Sequence, residues 1–169
     1  GITRDPMLYE DPSHGSWYYE QITLGFNYRM TELQAALGLS QMKRLKEIVD
    51  RRTALAARYD KLLANLPVQR PIQAPSTGSS WHLYVIQVPQ NHHSQIFDYL
   101  KRAGIGVNIH YIPIHRHPFY RSMGFKLGQF PNAESYYSKS ISIPLYFGLT
   151  EKDQDQVCAT LEQCFLRIT

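Results

Sequence analysis

The chain has 169 residues, of which 43% are hydrophobic and 19% charged, and 18 Lys and Arg against 14 Asp and Glu give a formal net charge of +4. This composition excludes intrinsic disorder, and no apolar run approaches the ~20 residues of a membrane helix. We therefore expect a cytoplasmic protein with a sizeable core and no membrane partner. Cys158 and Cys164 lie six positions apart on one predicted helix and point to different sides of it, which predicts no disulfide between them.

The first 30 residues differ in character from the rest of the chain. Residues 1–24 are rich in Pro, Gly, Asp and aromatic side chains without a helical or strand period, which predicts an irregular segment. At Thr31 a capping box with Gln34 begins a long helical pattern that Pro67 ends. Gly38 and the region of Thr53 are candidate bends, so the pattern allows one bent helix or two.

Residues 31–169 alternate between helical and strand patterns. After the long helix, the sequence predicts strands at 81–88, 106–111 and 141–145, a helix that ends at Gly104 as its C′ residue, a helical turn at 119–123, a helix from 131 or 132 through 137, and a last helix that Thr150 caps. This order predicts a layered α/β (α+β) domain in which helices pack on a small sheet of about three strands.

The densest basic stretch does not indicate nucleic-acid binding. It runs from Lys43 to Arg52 and carries Glu47 and Asp50 between its positive charges. Mixed charges with apolar residues at helical spacing are typical of a solvated helix face, and no nucleic-acid-binding motif accompanies them. We expect no nucleic-acid partner.

Imidazoles gather in the Pro-braced segment that follows the second predicted strand. As metal ligands, His110 and His115 lack a nearby Cys or acid at ligand spacing, so no metal is predicted. As catalytic bases they lack a nucleophile. Together with Tyr111 and Arg116 they suit hydrogen bonding to an anionic or sugar ligand. Ordinary surface histidines explain the pattern equally well.

A second candidate site precedes the Thr31 cap. Gly25 permits a close backbone approach, and the amide of Asn27 and the guanidinium of Arg29 lie just ahead of a helix N-terminus, where a phosphate binds well. A loop in which the two side chains only satisfy local carbonyls is the alternative, and the spacing does not decide between them.

Several motifs together resemble one protein family. The run Leu24–Gly38, which contains Gly25-Phe26-Asn27-Tyr28-Arg29, is similar to a hallmark of the DegT/DnrJ/StrS family of PLP-dependent sugar aminotransferases. Similar motifs follow in the family's order over essentially the whole chain: His82–Tyr84, Gly104-Ile105, His110–His115 and Ser142–Tyr146. Within the family, Gly1–Pro6 and Trp17–Glu20 resemble the 4-aminotransferases of pseudaminic-acid synthesis.

The resemblance implies the C-terminal small domain of a type I PLP-dependent transferase, with a mostly antiparallel sheet over 31–169. Residues 1–30 would then link it to a large PLP-binding domain that precedes this chain, which fits a first residue that is Gly and not Met. The family's cofactor-binding lysine lies in a Ser-x-His-x-x-Lys motif that this sequence lacks. No catalytic residue is therefore assigned, and the chain by itself is expected to be inactive.

The resemblance also implies site residues and a reaction for the full-length homodimer. Asn27 would reach the PLP phosphate of the neighbouring subunit, and Arg29, His110, Tyr111 and His115 would line the nucleotide-sugar side of the cleft. The implied reaction transfers an amino group from glutamate to a UDP-linked 4-keto-6-deoxy-N-acetylhexosamine in surface-glycan synthesis. A sugar dehydratase of the same family and a non-catalytic dimerisation or binding module remain open alternatives.

Overall fold

The computed structural model describes residues 1–13 and 15–168, and contacts within the chain group it into two units, Gly1–Arg44 and Leu45–Thr169. Residue 169, the last of the predicted small domain, lies outside the described residues. The helical pattern predicted to begin at Thr31 is divided between the two units, since its part up to Arg44 lies in the first and the rest in the second.

The first unit begins with a small antiparallel ladder between β1 (Ile2–Thr3) and β2 (Glu20–Gln21). The sequence predicts only irregular chain here, because two-residue strands carry no alternating pattern. A 3-10 helix at Pro6–Leu8 follows Asp5, whose carboxylate accepts the N–H of Met7 at 3.0 Å.

The carboxylate of Glu20 closes the loop between the two short strands. It accepts the backbone N–H groups of Glu10 and Asp11 at 2.8 and 2.9 Å and the hydroxyl of Tyr18 at 2.8 Å. These bonds, the one from Glu10 foremost, lower the pKa of Glu20, because each stabilises the carboxylate form.

The long helical pattern forms two helices, α1 (Glu32–Met42) and α2 (Leu45–Leu62). The capping box is confirmed: Thr31 Oγ1 accepts the Gln34 N–H at 3.3 Å, and Gln34 Oε1 accepts the Thr31 N–H at 3.0 Å. Of the two alternatives, one bent helix or two, the structure has two, and neither candidate bend divides them, since Gly38 lies inside α1 and Thr53 inside α2. The break falls at residues 43–44, where the Arg44 N–H bonds to the Gln41 carbonyl at 3.0 Å and tightens the last turn of α1.

The sheet of the second unit pairs β3 (Tyr84–Gln87) antiparallel with β4 (Ser140–Ile143). Both strands are shorter than predicted. The start of β3 excludes Trp81, because its φ of 49° does not fit a strand. The end of β4 comes before Pro144, because proline has no N–H to donate to a ladder. The strand predicted at 106–111 is reduced to one antiparallel bridge between Asn108 and Ser142. The Val107 N–H bonds locally to the Ile105 carbonyl at 3.0 Å, which takes this segment out of a regular ladder.

Helices α3 (His93–Arg102) and α6 (Glu151–Ile168) are the long helices after β3. The C′ position of α3 is confirmed at Gly104, which has a φ of 79°, and the Ile105 N–H closes a Schellman motif on the Leu100 carbonyl at 3.0 Å. Shorter elements are α4 (Pro118–Ser122), α5 (Pro131–Tyr137) and the 3-10 helices at Gln90–His92 and Ile114–Arg116.

The core of the second unit lies where α6 packs against α2 and α3 and where β3 pairs with β4. Its fully buried side chains include Leu55, Tyr59, Tyr84, Ile86, Ile96, Leu100, Ile141, Leu149 and Leu161. The buried Gln154 of α6 donates from Nε2 to the Leu55 carbonyl of α2 at 2.9 Å, so a polar bond joins the two helices inside the core. The mixed helix and sheet class with a small antiparallel sheet is thereby confirmed.

Both cysteines of α6 are buried as free thiols. Burial raises the pKa of Cys158 to about 11 and also raises that of Cys164, so both thiols stay protonated at neutral pH. Among the described residues, no helix has the length and apolar character needed to cross a membrane.

Candidate functional site

The backbone of the Gly25–Arg29 segment turns sharply at Asn27. Asn27 has a φ of 60°, a left-handed conformation that asparagine adopts more readily than most residues. The Arg29 N–H donates to the Asn27 carbonyl at 2.9 Å and closes a three-residue turn. The turn leaves the side chains of both residues exposed just ahead of α1.

Asn27 and Arg29 line one cavity of about 530 Å³ in the first unit. Its described lining residues are Gly1, Ile2, Gln21, Gly25, Phe26, Asn27, Tyr28 and Arg29. None of these residues is an Asp or a Glu. An amide donor and a guanidinium without an opposing carboxylate suit an anionic group such as a phosphate. The structure therefore brings together two of the residues that the sequence predicts as a site.

His110 lies in a hydrogen-bonded group of the second unit. Its Nδ1 lies 2.8 Å from the Ser142 hydroxyl oxygen, and its Nε2 lies 3.4 Å from Nδ2 of Asn108. The Tyr111 ring meets the His110 ring edge to face, with ring centres 4.7 Å apart, and is 72% exposed. Asn108 and Ser142 were not predicted from the sequence, although Asn108 lies two positions before His110, where side chains of an extended segment share a side.

His115 lies in different surroundings from His110. It is only 7% exposed, and its Nε2 lies 2.8 Å from Oε1 of Glu134, which also accepts the Gly128 N–H at 2.8 Å. Burial acts to raise the pKa of Glu134, but the hydrogen bonds from Gly128 and His115 outweigh it, and the net shift is downward. Glu134 was missed because nothing in the sequence pairs residues 19 positions apart.

An apolar cavity of about 490 Å³ adjoins His115. Its lining residues are Pro113, Ile114, His115, Tyr120, Met123, Phe125, Phe130 and Ala133. The Phe130 ring packs on the His115 ring with centres 4.8 Å apart. The prediction that His115 contacts a sugar stays a prediction, and its contacts in the structure are those of a buried histidine bound to a carboxylate.

Within residues 1–13 and 15–168, no group of three or more His, Cys, Asp or Glu side chains is placed to hold a metal ion.

Small antiparallel sheets packed with helices place the chain in the mixed helix and sheet class, and solved structures of sugar aminotransferases have a similar fold over most of its length. The chain belongs to the DegT/DnrJ/EryC1/StrS aminotransferase family, whose match extends over residues 9–162. It is 40% identical over 152 residues to the spore coat polysaccharide biosynthesis protein SpsC of Bacillus subtilis, a match that covers 86% of this chain and 39% of that protein.

Solved structures of similar proteins agree with this membership. One of them is the putative sugar aminotransferase Spr1654 of Streptococcus pneumoniae, which has been solved in apo, PMP and PLP forms. This chain matches the apo form with a TM-score of 0.83 and 29% sequence identity, over 92% of this chain and 40% of that one. Helicobacter pylori PseC, an aminotransferase of pseudaminic-acid biosynthesis, matches with a TM-score of 0.81 and 27% identity over 92% of this chain and 43% of that one. The chain thus spans about two fifths of the length of these relatives.

Proposed function

We propose that this chain is the C-terminal part of a PLP-dependent sugar aminotransferase that acts as a homodimer in the cytoplasm. The observation that carries the proposal is the cavity at Gly25–Arg29, which Asn27 and Arg29 of the family's hallmark motif both line and whose described lining residues include no carboxylate. Membership of the aminotransferase family supports the reaction class. The homodimer rests on the family resemblance and the cytoplasmic location on composition.

The residues present fit the phosphate ester of pyridoxal phosphate. The Asn27 amide would donate a hydrogen bond to a phosphate oxygen, and the Arg29 guanidinium would balance its charge or that of the nucleotide sugar. The cofactor, when bound, supplies the electron sink that amino-group transfer needs. The residues of this chain bind and orient, since the Ser-x-His-x-x-Lys motif of the family does not occur in it.

The proposed substrates are glutamate and a UDP-linked 4-keto-6-deoxy-N-acetylhexosamine of the pseudaminic-acid type. The similarity to Helicobacter pylori PseC and to the polysaccharide protein SpsC supports a glycan precursor as the amino acceptor. His110, Tyr111 and His115 are proposed to lie on the sugar side. Of these, Tyr111 has the most exposed ring and His115 the most buried one.

The proposal is tested by the substitution Asn27→Ala in the full-length enzyme. Loss of a hydrogen bond to a charged group should weaken PLP binding at least about tenfold, measured as cofactor retained after dialysis against a PLP series. Asn91→Ala, which removes an exposed amide in the second unit, is the matched control and should retain PLP like the wild type. Equal retention by both variants would remove Asn27 from the cofactor site.

The same assay applies to the 169-residue chain by itself. We expect it to retain no PLP after dialysis, and borohydride reduction followed by mass spectrometry should find no single modified lysine. A stoichiometric adduct at one lysine would contradict the proposal that the chain lacks the cofactor-binding lysine.

A further inference from the structure

We propose that Ser142 and Asn108 are positioning residues that hold the His110 ring in one tautomer, with its proton on Nδ1, so that Tyr111 is the member of the pair presented to a ligand. The positioning rests on hydrogen bonds within this chain. Its consequence for sugar binding rests on the proposed function.

The backbones of Ser142 and Asn108 are bonded to each other in both directions. The Ser142 N–H donates to the Asn108 carbonyl at 2.8 Å, and the Asn108 N–H donates to the Ser142 carbonyl at 3.2 Å. Ser142 lies on β4 and is only 4% exposed, so its side chain is buried. Both groups that flank the His110 ring therefore lie on one bonded backbone pair.

The orientation of the Asn108 amide decides which ring nitrogen carries the proton. Its Oδ1 accepts the Ile109 N–H at 2.8 Å, so the NH₂ group is the end that faces His110 Nε2 at 3.4 Å. A donor on that side requires an unprotonated Nε2, which leaves the proton on Nδ1. The Nδ1–H then donates to the Ser142 hydroxyl oxygen at 2.8 Å, the shorter of the two ring contacts.

This arrangement uses both ring nitrogens of His110 within the chain. The His110 and Tyr111 rings lie at 84° to each other with centres 4.7 Å apart, so a fixed imidazole also restricts the neighbouring phenol ring. Tyr111 is the exposed member of the pair. We infer that Tyr111 is the ligand-contacting residue and that His110 acts through it.

The tautomer is measured in the 169-residue chain by long-range proton–nitrogen NMR with nitrogen-labelled histidine, and His110→Phe identifies the signal among the seven histidines. We expect a protonated Nδ1 and an unprotonated Nε2. Ser142→Ala should shift the population away from this form, and Ser142→Thr, which keeps a hydroxyl, should restore it. Ser140→Ala is the matched control: Ser140 is equally buried on β4, and its Oγ has no hydrogen-bond partner among the described residues.

A second variant tests the amide independently of β4. Asn108→Asp places an acceptor opposite Nε2 and should move the proton to that nitrogen. A wild-type ring protonated on Nε2 alone, or an unchanged tautomer in Ser142→Ala with a preserved amide spectrum, would overturn the positioning proposal.

The functional consequence is measured separately in the full-length enzyme. Ser142→Ala should raise the KM for the UDP-sugar about 3- to 10-fold with kcat and the KM for glutamate little changed, whereas Ser140→Ala should leave all three unchanged. If Ser142→Ala changes the tautomer as expected but leaves the KM for the UDP-sugar unaltered, the positioning of His110 stands and the His110–Tyr111 pair does not belong to the sugar site. PLP retention is measured in the Asn27→Ala variant and tests the proposed function, so the two tests can fail independently.

Discussion

The two units of the chain differ in how they use their apolar residues. In the second unit, α2, α3, α6 and both strands contribute fully buried side chains to one core. In the first unit, all of α1 lies within the described residues and none of its side chains is buried; Leu33, for example, is 85% exposed. Polar bonds such as those of Glu20 and the Thr31 capping box are among the contacts that hold the first unit, together with the Tyr9–Tyr18 ring contact.

The two candidate sites are therefore held by different forces. The Asn27 turn depends on one backbone bond and a left-handed φ, whereas His110 is bonded to a strand of the core. A substitution that weakens the core should disturb His110 and leave the local turn at Asn27 in place.

Leu161→Ala is expected to have the largest effect on stability. Leu161 is fully buried in α6, so its loss leaves a cavity and should lower the free energy of unfolding of the second unit by about 2–5 kcal/mol. Leu33→Ala in α1 is the control and should change it by less than about 0.5 kcal/mol. The measurement is urea unfolding followed by Trp81 fluorescence in a Trp17→Phe background, since the chain has two tryptophans.

The contrast between the units would break if both leucine variants shifted the Trp81 transition equally. That result would mean that the apolar face of α1 contributes to the same core as Leu161. A Leu161→Ala effect below about 1 kcal/mol would equally contradict the assignment of Leu161 to a closely packed interior.

Arg52→Met tests a polar bond that holds the second unit. The Arg52 Nη1 donates to the carbonyls of Trp81, His82 and Leu145 at 2.8, 3.0 and 3.3 Å, which ties α2 to the chain before β3 and after β4. Methionine keeps the aliphatic stem and removes the donors, so the free energy of unfolding should fall by about 1–3 kcal/mol in the same urea assay.

Two further variants make the Arg52 result specific. Arg52→Lys should recover only part of the stability, because an ammonium lacks the planar fork of the guanidinium. Lys46→Met breaks an exposed ion pair with Asp50 on the same helix and should cost less than about 0.5 kcal/mol. If Arg52→Met matched Lys46→Met, the three carbonyl contacts would contribute nothing measurable.

The parts of this structure that could be predicted from sequence depend on local signals. The Thr31 box and the Gly104 C′ position involve residues three or fewer positions from the helix end that they shape, and both are confirmed. The break between α1 and α2 at residues 43–44 could not be predicted, because neither residue is a Gly or a Pro. The strand predicted at 106–111 is only one bridge in the structure, because a local turn competes with the ladder. The motifs identified Asn27 and Arg29 at the candidate site of the first unit and Tyr111 at that of the second.

The partners that orient the candidate histidines could not be found in the same way. Ser142 is 32 positions from His110, and Glu134 is 19 positions from His115. Such pairs are brought together by strand pairing and helix packing, and neither polar residue type has a periodic signature. The motif therefore identified the candidate histidines, and the tertiary structure shows how they differ. His110 is hydrogen-bonded to Ser142 and lies next to an exposed Tyr111, whereas His115 is buried against Glu134.

The smallest expected effects come from the two helix caps, one in each unit. Thr150 Oγ1 accepts the Asp153 N–H at 3.1 Å at the start of α6, and Thr31 accepts the Gln34 N–H in the same way at the start of α1. Replacing either threonine by alanine should cost its own helix about 1 kcal/mol. Because α6 contributes to the core and α1 buries none of its described side chains, Thr150→Ala should lower the urea midpoint followed by Trp81, and Thr31→Ala should not.

Hydrogen exchange distinguishes the two outcomes residue by residue. Thr31→Ala should speed exchange at the first amides of α1 about fivefold, with α6 unchanged, whereas Thr150→Ala should raise exchange across the slowest amides of the second unit. A Thr31→Ala variant that accelerated exchange throughout α6 would show that α1 unfolds together with the core. The exposed apolar side of α1 would then be coupled to the second unit, and the difference between the two candidate sites would be one of degree.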